Sequence, residues 1–390
     1  MRRLYLDNAA TTFPKPEPVY AAVDNYQRQS GGAVGRGSTA RALAASRVVE
    51  RARASLARLL GQVPSERFVF GYSGTDLLNQ ALQGLPLQSG DKVVYTALEH
   101  NSVLRPLHQL RVERGIELIE VPATPQGTVT VDAFRAALAG GPRLAVFSHA
   151  SNVSGALLPV HDLTELCRQA GAWTLLDACQ SAGQVPCSLR DCPVDLWVAS
   201  GHKHLLGPLG TGVLYLREGM EANLRPLRLG GTGSHSESEQ QPETLPHKYE
   251  AGNLNAPGLH GLAAALDWIG EQSVEQLWRH DQERTAQLLN GLEGIPQLVL
   301  HGPPAGPDRL GVISLSFPGL DPQEMATILD QSFGIETRAG LHCSPRAHQA
   351  LGTLSAGGTV RLSLSPFTTA DDITHVLASL QEFATGMASL

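Results

Sequence analysis

The sequence contains no apolar run of the length that a transmembrane helix needs. Its apolar start, Leu4–Leu6, is interrupted at once by Asp7 and Asn8, so this stretch does not form the core of a signal peptide. We therefore expect a protein without a membrane-spanning segment, located in the cytoplasm.

The sequence also lacks a disulfide framework and a zinc motif. The five cysteines are an odd number without a Cys-x-x-Cys pair, which in a chain without export signals is typical of free thiols. His202, His204, His342 and Cys343 do not have the spacing of clustered zinc ligands, so we expect no metal.

Basic residues are neither in excess nor clustered. The formal net charge is −7 and Lys and Arg are spread along the chain, which argues against a nucleic-acid partner. With 390 residues, 42% hydrophobic and 17% charged, the composition is that of a globular protein large enough for two domains.

Between residues 68 and 217, short apolar runs alternate with amphipathic helical patterns such as Pro159–Gly171. This alternation predicts an α/β fold, in which a large, mainly parallel sheet has helices on both faces. Ligands of such sheets bind beyond the carboxyl ends of the strands. The predicted strands are Phe68–Phe70, Lys92–Thr96, Leu144–Ser148, Trp173–Leu176, Leu196–Ala199 and Gly212–Leu216.

The pattern changes after residue 217. Residues 230–243 are polar and glycine-rich, which predicts an extended loop. A helical pattern follows from His260 to Gly294, and strand patterns at 298–316 and 334–337 then flank a helix at 322–333.

These patterns predict two domains, the second a smaller α+β domain. The boundary is placed near Pro257, and the first residues are expected to pack back on the second domain. The large domain would comprise residues 15–256, and the small domain residues 1–14 and 257–390.

Two polar side chains follow neighbouring strands of the predicted sheet. Lys203 follows the run that begins at Leu196, and Asp177 ends the run that begins at Trp173. Pyridoxal phosphate needs an amine that forms a Schiff base and a carboxylate that keeps its ring nitrogen protonated. The pair therefore predicts a pyridoxal-phosphate site, although a lysine taken alone is more commonly a solvated loop residue.

A phosphate site is predicted in the turn of Ser73, Gly74, Thr75 and Asp76, which follows a strand and precedes a helix. Its amides would stand at the N-terminal end of that helix, where phosphate binds. A Ser or Thr at such a place is more often a helix cap.

Three further polar residues follow strands of the same sheet. His100 could stack on a pyridine ring and move protons, although a loop histidine is usually a surface residue. Asn152 and Gln180 could donate to the phenolic oxygen of the ring, with a turn residue and a helix cap as the alternatives.

The second domain carries a cysteine in a loop that also contains an arginine. Cys343 lies in the run Arg338–Pro345, where nearby positive charge would favour a thiolate, and the alternative is a buried core cysteine. Arg361 lies in a strand-like run where an unpaired charge is costly, so a substrate carboxylate held by two hydrogen bonds would explain it.

Six separated segments carry a resemblance to a known family: Tyr5–Thr12, Glu99–Pro106, Ser148–Gly155, Ser200–Pro208, Gly230–Glu237 and Arg338–Cys343. In order and spacing they resemble the cysteine desulfurases of the class V aminotransferase group, over nearly the whole chain. The loop that ends in His342-Cys343 resembles the branch with a short cysteine loop, near the selenocysteine lyases.

The resemblance implies a type I pyridoxal-phosphate transferase fold and a homodimer with both active sites at the subunit interface. The polar loop at 230–252 would reach toward the partner's active site. Sulfur would pass to an acceptor protein or a small thiol, as in iron–sulfur cluster assembly.

The resemblance also assigns roles to single positions. Lys203 would hold the cofactor as a Schiff base, Asp177 would pair with the pyridinium, and His100 would stack on the ring and transfer protons. Arg361 would bind the substrate carboxylate, and Cys343 would accept sulfur. The remaining ligands would be Gly74, Thr75, Ser200, His202 and Asn253 at the phosphate, Asn152 and Gln180 at the phenolic oxygen, and Arg338 and Asn152 at the substrate.

The sequence departs from the family pattern at three positions. Asp76 stands where relatives usually have Glu, and Cys179 stands where Ala is usual, which places a second thiol near the cofactor. Asn253 stands where a Thr that reaches the neighbouring subunit's phosphate is expected, and Asn can still donate there.

The leading functional hypothesis is a cysteine desulfurase that converts L-cysteine to L-alanine and carries sulfur as a persulfide on Cys343. A selenocysteine lyase, acting on L-selenocysteine, shares the cofactor site and would survive the Cys343→Ala substitution. Another class V lyase or an ordinary aminotransferase is a further alternative, and the aminotransferase would have no use for Cys343. A cofactor-binding scaffold for partner proteins is the last alternative, and the presence of Lys203, Asp177 and Cys343 argues against it.

Overall fold

The computed structural model describes residues 2–234 and 236–387. No helix within these residues is both long and apolar enough to cross a membrane. The helices are α1 (Glu17–Asn25), α2 (Ala40–Leu59), α3 (Gly74–Gly84), α4 (Asn101–Arg114), α5 (Val131–Leu138), α6 (Val160–Gln169), α7 (Ala256–Gln272), α8 (Val274–Leu292), α9 (Pro322–Phe333), α10 (Pro345–Ala350) and α11 (Ala370–Met387). The strands are β1 (Leu4–Tyr5), β2 (Phe68–Gly71), β3 (Lys92–Thr96), β4 (Glu117–Val121), β5 (Leu144–Ser148), β6 (Trp173–Asp177), β7 (Leu196–Ser200), β8 (Gly212–Leu216), β9 (Val299–His301), β10 (Val312–Ser316), β11 (Ile335–Glu336), β12 (Arg338–Gly340) and β13 (Thr359–Ser363).

Seven strands form the large sheet in the order β2-β8-β7-β6-β5-β3-β4. All of them run in one direction except β8, which is antiparallel to both of its neighbours. The mainly parallel sheet and all six predicted strands are confirmed. The edge strand β4 was not predicted.

Helices cover both faces of this sheet, as predicted. On one face α2, α6 and α7 bury side chains such as Leu56, Leu163 and Leu262 against the strands. On the other face α3 and α4 bury Leu78 and Leu107. The strands are therefore covered on both sides, which explains why their sequences are continuous apolar runs.

The smaller sheet is antiparallel, with the strand order β12-β13-β10-β9. Helices α8, α9 and α11 pack on it through residues such as Leu288, Leu329 and Leu380. The N-terminal strand β1 pairs with β11, and Leu6 enters the same apolar cluster. This part of the chain has the expected α+β character.

The predicted helical pattern from His260 to Gly294 is formed by two helices, α7 and α8. Ser273 separates α7 from α8 with a φ of 61°, and its hydroxyl caps α8 by accepting from the amide of Gln276. Helix α7 buries Leu259 and Leu262 with the core of the large sheet. The domain boundaries at 14/15 and 256/257 stay predictions.

The predicted extended loop contains no helix or strand in residues 230–234 and 236–252. Its end is fixed by Glu250, which accepts from the guanidinium of Arg53 at 2.7 Å and from the amide of Phe70 at 2.7 Å. Arg53 and Glu250 are both buried, so losing either partner would leave an uncompensated charge in the core.

Candidate active site

A cavity opens beyond the carboxyl ends of the large-sheet strands, and residues of the smaller sheet close its other side. The position is the one that the sheet topology predicts. The cavity brings together ten of the predicted site residues: Thr75, His100, Asn152, Asp177, Gln180, Ser200, His202, Lys203, Arg338 and Arg361.

Three predicted residues are not in the lining of this cavity. Gly74 lies beneath it, where its amide donates to the hydroxyl of Ser200 at 3.2 Å. Cys343 lines an adjoining cavity, described below. Asn253 is exposed, and its carbonyl accepts from the hydroxyl of Tyr72 at 3.2 Å.

Asp177 ends β6 and is buried. One of its carboxylate oxygens accepts from the amide of Cys179 at 2.9 Å. A second carboxyl group, that of Glu99, lies nearby and accepts from both the amide and the hydroxyl of Ser148. Complete burial raises the pKa of Glu99 to about 8, despite these hydrogen bonds.

The N-terminal end of α3 forms a close-fitting wall of the cavity. Ser73 caps the helix by accepting from the amide of Asp76. A Cβ added to Gly74 would lie 2.5 Å from both the sulfur of Cys179 and the hydroxyl oxygen of Ser200, so only glycine fits here. The carboxylate of Asp76, which stands where relatives usually have Glu, accepts from the amide of Tyr72 at 3.0 Å.

His100 caps α4, and its orientation is set by Ser102. Nδ1 of His100 accepts from the amide of Ser102 at 3.0 Å, which leaves Nε2 to carry the ring proton. The hydroxyl of Ser102 lies 2.8 Å from the same Nδ1 and 2.7 Å from the hydroxyl of Thr75. Burial and then the charge of Lys203 lower the pKa of His100 to about 4, so the ring is neutral at pH 7.

Arg361 lies in β13 with only 1% of its side chain exposed. Nη2 donates to the carboxylate of Asp7 at 2.6 Å, and Nη1 donates to the carbonyl of Asn152 at 3.1 Å. Its buried Nε has no partner in the described part of the chain. The charge is thus balanced by Asp7, a residue that the sequence analysis did not identify as part of the site, and the N–H of Nε is left for a ligand.

Cys343 lies between β12 and α10 in a loop with an uncommon backbone. His342 and Cys343 have consecutive positive φ values of 48° and 61°, which non-glycine residues rarely adopt. Asn152 holds both sides of the cysteine, because Nδ2 donates to the carbonyl of His342 at 2.7 Å and Oδ1 accepts from Ser344 at 2.8 Å. The guanidinium of Arg338 lies 3.6 Å from the sulfur of Cys343.

A second cavity connects this loop to the first cavity. It is lined by Cys343 together with Thr75, His100 and Ser102, three residues that also line the first one. The thiol of Cys343 therefore stands between the candidate cofactor site and the protein surface.

The other thiol, that of Cys179, has a different environment. It is buried and receives a hydrogen bond from the hydroxyl of Ser200 at 3.4 Å. Burial raises the pKa of Cys179, and the neighbouring charge of Asp177 raises it further. Cys179 is accordingly a packing residue against Gly74 and Ser200, and it does not provide a second nucleophile at neutral pH.

The residues present fit pyridoxal phosphate. At Gly74 the N-terminal end of α3 carries no side chain, so a phosphate could come close to its backbone amides. Ser200 and Thr75 add hydroxyl groups beside this position. The carboxylate of Asp177 and the amine of Lys203 line other parts of the same cavity. The buried atoms Gln180 Oε1 and His202 Nδ1 have no partner within the described residues, as expected where a polar ligand binds.

Two functional contacts were missed because their partners are far apart in sequence. Asp7 pairs with Arg361 across 354 positions, and Asn152 reaches His342 across 190. The only sequence signal for Asp7 was its place in the segment Tyr5–Thr12, which carries part of the family resemblance. Ser102 could have been found as the residue two places after a helix-capping histidine.

Comparison with known proteins assigns the family. A protein-family model described as Aminotransferase class-V matches residues 4–376. A probable cysteine desulfurase of Methanothermobacter thermautotrophicus is 33% identical over 383 residues, which cover 98% of this chain and 94% of that protein. A probable cysteine desulfurase of Synechocystis sp. is 32% identical, with 97% and 90% covered.

Solved structures similar to this chain are also cysteine desulfurases. The apo structure of a cysteine desulfurase from Thermococcus onnurineus matches with a TM-score of 0.92 at 29% identity, covering 98% of this chain and 95% of that one. The cysteine desulfurase CsdA of Escherichia coli matches with a TM-score of 0.87 at 28% identity, covering 98% and 94%.

The fold and these matches define a member of the class V aminotransferases, a family of pyridoxal-phosphate enzymes. Within that family, the chain belongs to the cysteine desulfurases. The resemblance stated from the sequence and the expected type I fold are both confirmed.

Proposed function

We propose that this protein is a cysteine desulfurase that uses pyridoxal phosphate, removes sulfur from L-cysteine and releases L-alanine. The observation that carries the proposal is the position of Cys343, on a loop with a rare backbone conformation beside a cavity that holds Lys203, Asp177 and Arg361. An aminotransferase would need that cavity but not that cysteine.

The cofactor would be held at three points. Lys203 would supply the amine for the Schiff base, Asp177 would pair with the ring nitrogen, and the first turn of α3 with Ser200 and His202 would bind the phosphate. When bound, pyridoxal phosphate supplies a protonated ring that accepts electrons from the substrate's α-carbon.

The protein's own residues would perform the remaining steps. Arg361 would bind the substrate carboxylate through its free Nε, and Lys203 would remove the α-proton. The neutral ring of His100 would pass protons from Nε2, since Ser102 occupies Nδ1. Cys343 would attack the substrate sulfur, so that a sulfur–sulfur bond forms as the bond from carbon to sulfur breaks, and the persulfide remains on the protein.

Delivery of that sulfur requires access to Cys343. The second cavity connects the cysteine to the surface beside Arg105 and Gln109, which lie on the exposed face of α4. An acceptor protein or a small thiol would approach by this route. The acceptor would take the outer sulfur atom and return Cys343 to its thiol form.

A homodimer would cover exposed apolar residues close to Asn253 along the chain or through hydrogen bonds. Tyr72, whose hydroxyl donates to the carbonyl of Asn253, is 45% exposed and lies against the guanidinium of Arg228, the neighbour of the 71% exposed Leu229. Leu209, 66% exposed, precedes Gly210, whose carbonyl accepts from the side chain of Asn255. In the dimer we propose, this surface is covered by a second copy, and Asn253 reaches the phosphate site of that copy.

The test is the release of sulfide and L-alanine from L-cysteine in the presence of a reductant, comparing the wild type with Cys343→Ala. Equal release of both products by the wild type is expected, with loss of activity in a variant that keeps its visible cofactor band. Full activity of the variant on L-selenocysteine and L-cysteine would favour a lyase. A cofactor band without turnover in either protein would favour a scaffold.

A further inference from the structure

The segment Asp7–Lys15, which we call the N-terminal bridge, contacts both the smaller sheet and the loop that carries Lys203. At one end Asp7 pairs with Arg361 at 2.6 Å. At the other end the segment donates hydrogen bonds to the carbonyl oxygens of His202 and Lys203. It is therefore in contact with the candidate carboxylate site and with the cofactor lysine at the same time.

The Asp7 end is placed to respond to a ligand. Asp7 is the counter-ion of a buried guanidinium, and its pairing leaves Nε of Arg361 as a buried donor without an acceptor among the residues that the structure describes. A carboxylate that accepts from this Nε would bring a second negative charge to one guanidinium. Held by Asp7 at Nη2 and by the ligand at Nε, the planar guanidinium would lose its freedom to rotate, and Asp7 would be fixed with it.

The middle of the bridge is held by a hydrogen bond within the segment. The side chain of Asn8 accepts from the amide of Phe13 at 3.1 Å and thereby spans the segment. The carbonyl of Ala9 accepts from Gln180 at 3.1 Å, which ties the bridge to a further residue of the cavity.

The far end can change partners without losing its hydrogen bonds. The carbonyl of His202 lies within hydrogen-bonding distance of the Thr12 amide at 3.1 Å, the Thr12 hydroxyl at 3.2 Å, the Thr11 hydroxyl at 3.2 Å and the Lys15 amine at 2.7 Å. A carbonyl oxygen has two lone pairs, so these four donors are alternatives. The hydroxyl of Thr12 can also turn to the carbonyl of Lys203, at 3.0 Å.

We propose that the N-terminal bridge couples carboxylate binding at Arg361 to the position of Lys203, with Asp7 as the positioning residue on which this coupling depends. The inference rests on the proposed function only in taking that carboxylate to be the substrate's. It assigns to Asp7 an indirect part in the reaction, through Arg361 at one end and through the bridge at the other.

The direct test is hydrogen–deuterium exchange of the peptide that spans residues 200–210 in the holoenzyme. The probe is 3-mercaptopropionate, which has the carboxylate and the thiol of cysteine but no amine. At saturation we expect it to slow exchange of this peptide in the wild type by about threefold or more. In Asp7→Asn, at matched saturation, the exchange should stay at its ligand-free rate.

The kinetic test is a double-mutant cycle on the KM for L-cysteine. Asp7→Asn is expected to raise KM about tenfold and Thr12→Val about threefold, and the double variant should be no worse than Asp7→Asn alone. A purely structural role for each residue predicts multiplied effects. Asp7→Glu should recover part of the lost affinity, because it restores the charge.

Controls separate the possible failures. Glu17→Gln, an exposed acid-to-amide change just beyond the bridge, should behave like the wild type.

If Asp7→Asn does not fold, Thr12→Val keeps the Asp7 pair and should still lose the ligand-dependent slowing of exchange. Unchanged slowing in either variant, or multiplied KM effects, would overturn the coupling. If the wild type does not turn over L-cysteine, the proposed function fails while the exchange experiment still decides the coupling.

Discussion

The side-chain amide of Asn152 donates to the carbonyl of His342 at a distance of 2.7 Å, from the large-sheet part of the chain to the cysteine loop. The same amide accepts from Ser344 on the other side of Cys343. Both groups are buried, so the cost of leaving either without a partner is high. Asn152 therefore fixes the loop in the conformation that presents the thiol.

Replacing Asn152 with alanine should loosen this loop. We expect alkylation of Cys343 by iodoacetamide to become at least about fivefold faster, which corresponds to the loss of about 1 kcal/mol of hydrogen bonding. Turnover of L-cysteine should fall at the same time. Peptide mass spectrometry after timed alkylation gives the rate for Cys343 separately from the other cysteines.

The matched control is Asn223→Ala, at an exposed side-chain amide that donates to the carbonyl of Gly219 at 3.3 Å. Its alkylation rate should equal that of the wild type. An unchanged rate in Asn152→Ala would mean that the loop keeps its conformation without this residue.

Gly74→Ala should weaken cofactor binding. The added methyl group would lie 2.5 Å from Cys179 and Ser200, and overpacking of this kind typically costs about 1–3 kcal/mol. We therefore expect at least about a fivefold rise in the dissociation constant of pyridoxal phosphate, measured by fluorescence titration of the apoprotein. Adding Cys179→Ala should restore part of the affinity, because it removes one of the two close contacts.

Gly270→Ala is the control for this substitution, since a Cβ there has no atom of the described residues 2–234 and 236–387 within 4 Å. It lies inside α7, where alanine is the better helix former. Cofactor affinity should not change. Normal affinity in Gly74→Ala would place the phosphate away from the start of α3.

Lys15 should react as an amine at neutral pH. Burial lowers its pKa to about 7, and it has no carboxylate partner among residues 2–234 and 236–387. The amine loses its proton as the pH rises through this value, so labelling by acetic anhydride should have a midpoint near pH 7. Competitive labelling followed by mass spectrometry measures this midpoint, with Lys92 as the internal reference.

The same lowered pKa predicts an effect on stability. From about pH 7 to about pH 10.5 the unfolded chain holds a proton on Lys15 that the folded protein lacks, so this residue makes stability rise with pH over that range. Lys15→Met should remove that part of the increase. A labelling midpoint above about pH 9 would contradict both expectations.

Asp281 should destabilise the protein above neutral pH. Its side chain is buried, one oxygen accepts from the amide of Gly311 at 2.9 Å, and burial raises its pKa to about 7. Between about pH 4 and pH 7 the folded protein binds a proton that the unfolded chain has released, so stability from this group is lost as the pH rises. Asp281→Asn should therefore raise the thermal midpoint, with a gain that grows from pH 4 to pH 7 and then levels off.

Thermal unfolding at several pH values measures this gain. Asp308→Asn, at an exposed carboxylate, serves as the control and should show no such trend. A gain that is the same at pH 4 and pH 8 would mean that Asp281 is ionised throughout.

Elements buried on both sides were predictable from the sequence. The run Leu144–Ser148 is apolar at nearly every position because helices cover both faces of its sheet. The edge strand Glu117–Val121 is half exposed and mixed in composition, so it gave no such signal. The helical pattern at 260–294 carried no signal for its break at Ser273, because Ser273 is neither a glycine nor a proline.

Residues that follow strands were predictable as a group, because parallel strands end at one edge of a sheet. Lys203 and Asp177 are examples, and the structure places both in one cavity. The pairing of Asp7 with Arg361 was not predictable in this way. It depends on how the chain's two ends pack together, and no local periodicity contains that information.

The left-handed backbone of His342 and Cys343 has an implication for how this loop can evolve. Each such residue costs about 1 kcal/mol or more relative to glycine, which adopts these angles freely. Mutation to glycine at position 343 would release that energy and remove the thiol with it. Selection for a more durable protein and selection for sulfur chemistry thus act in opposite directions on the same residue, and heat-stable variants of this enzyme will have to gain their stability elsewhere.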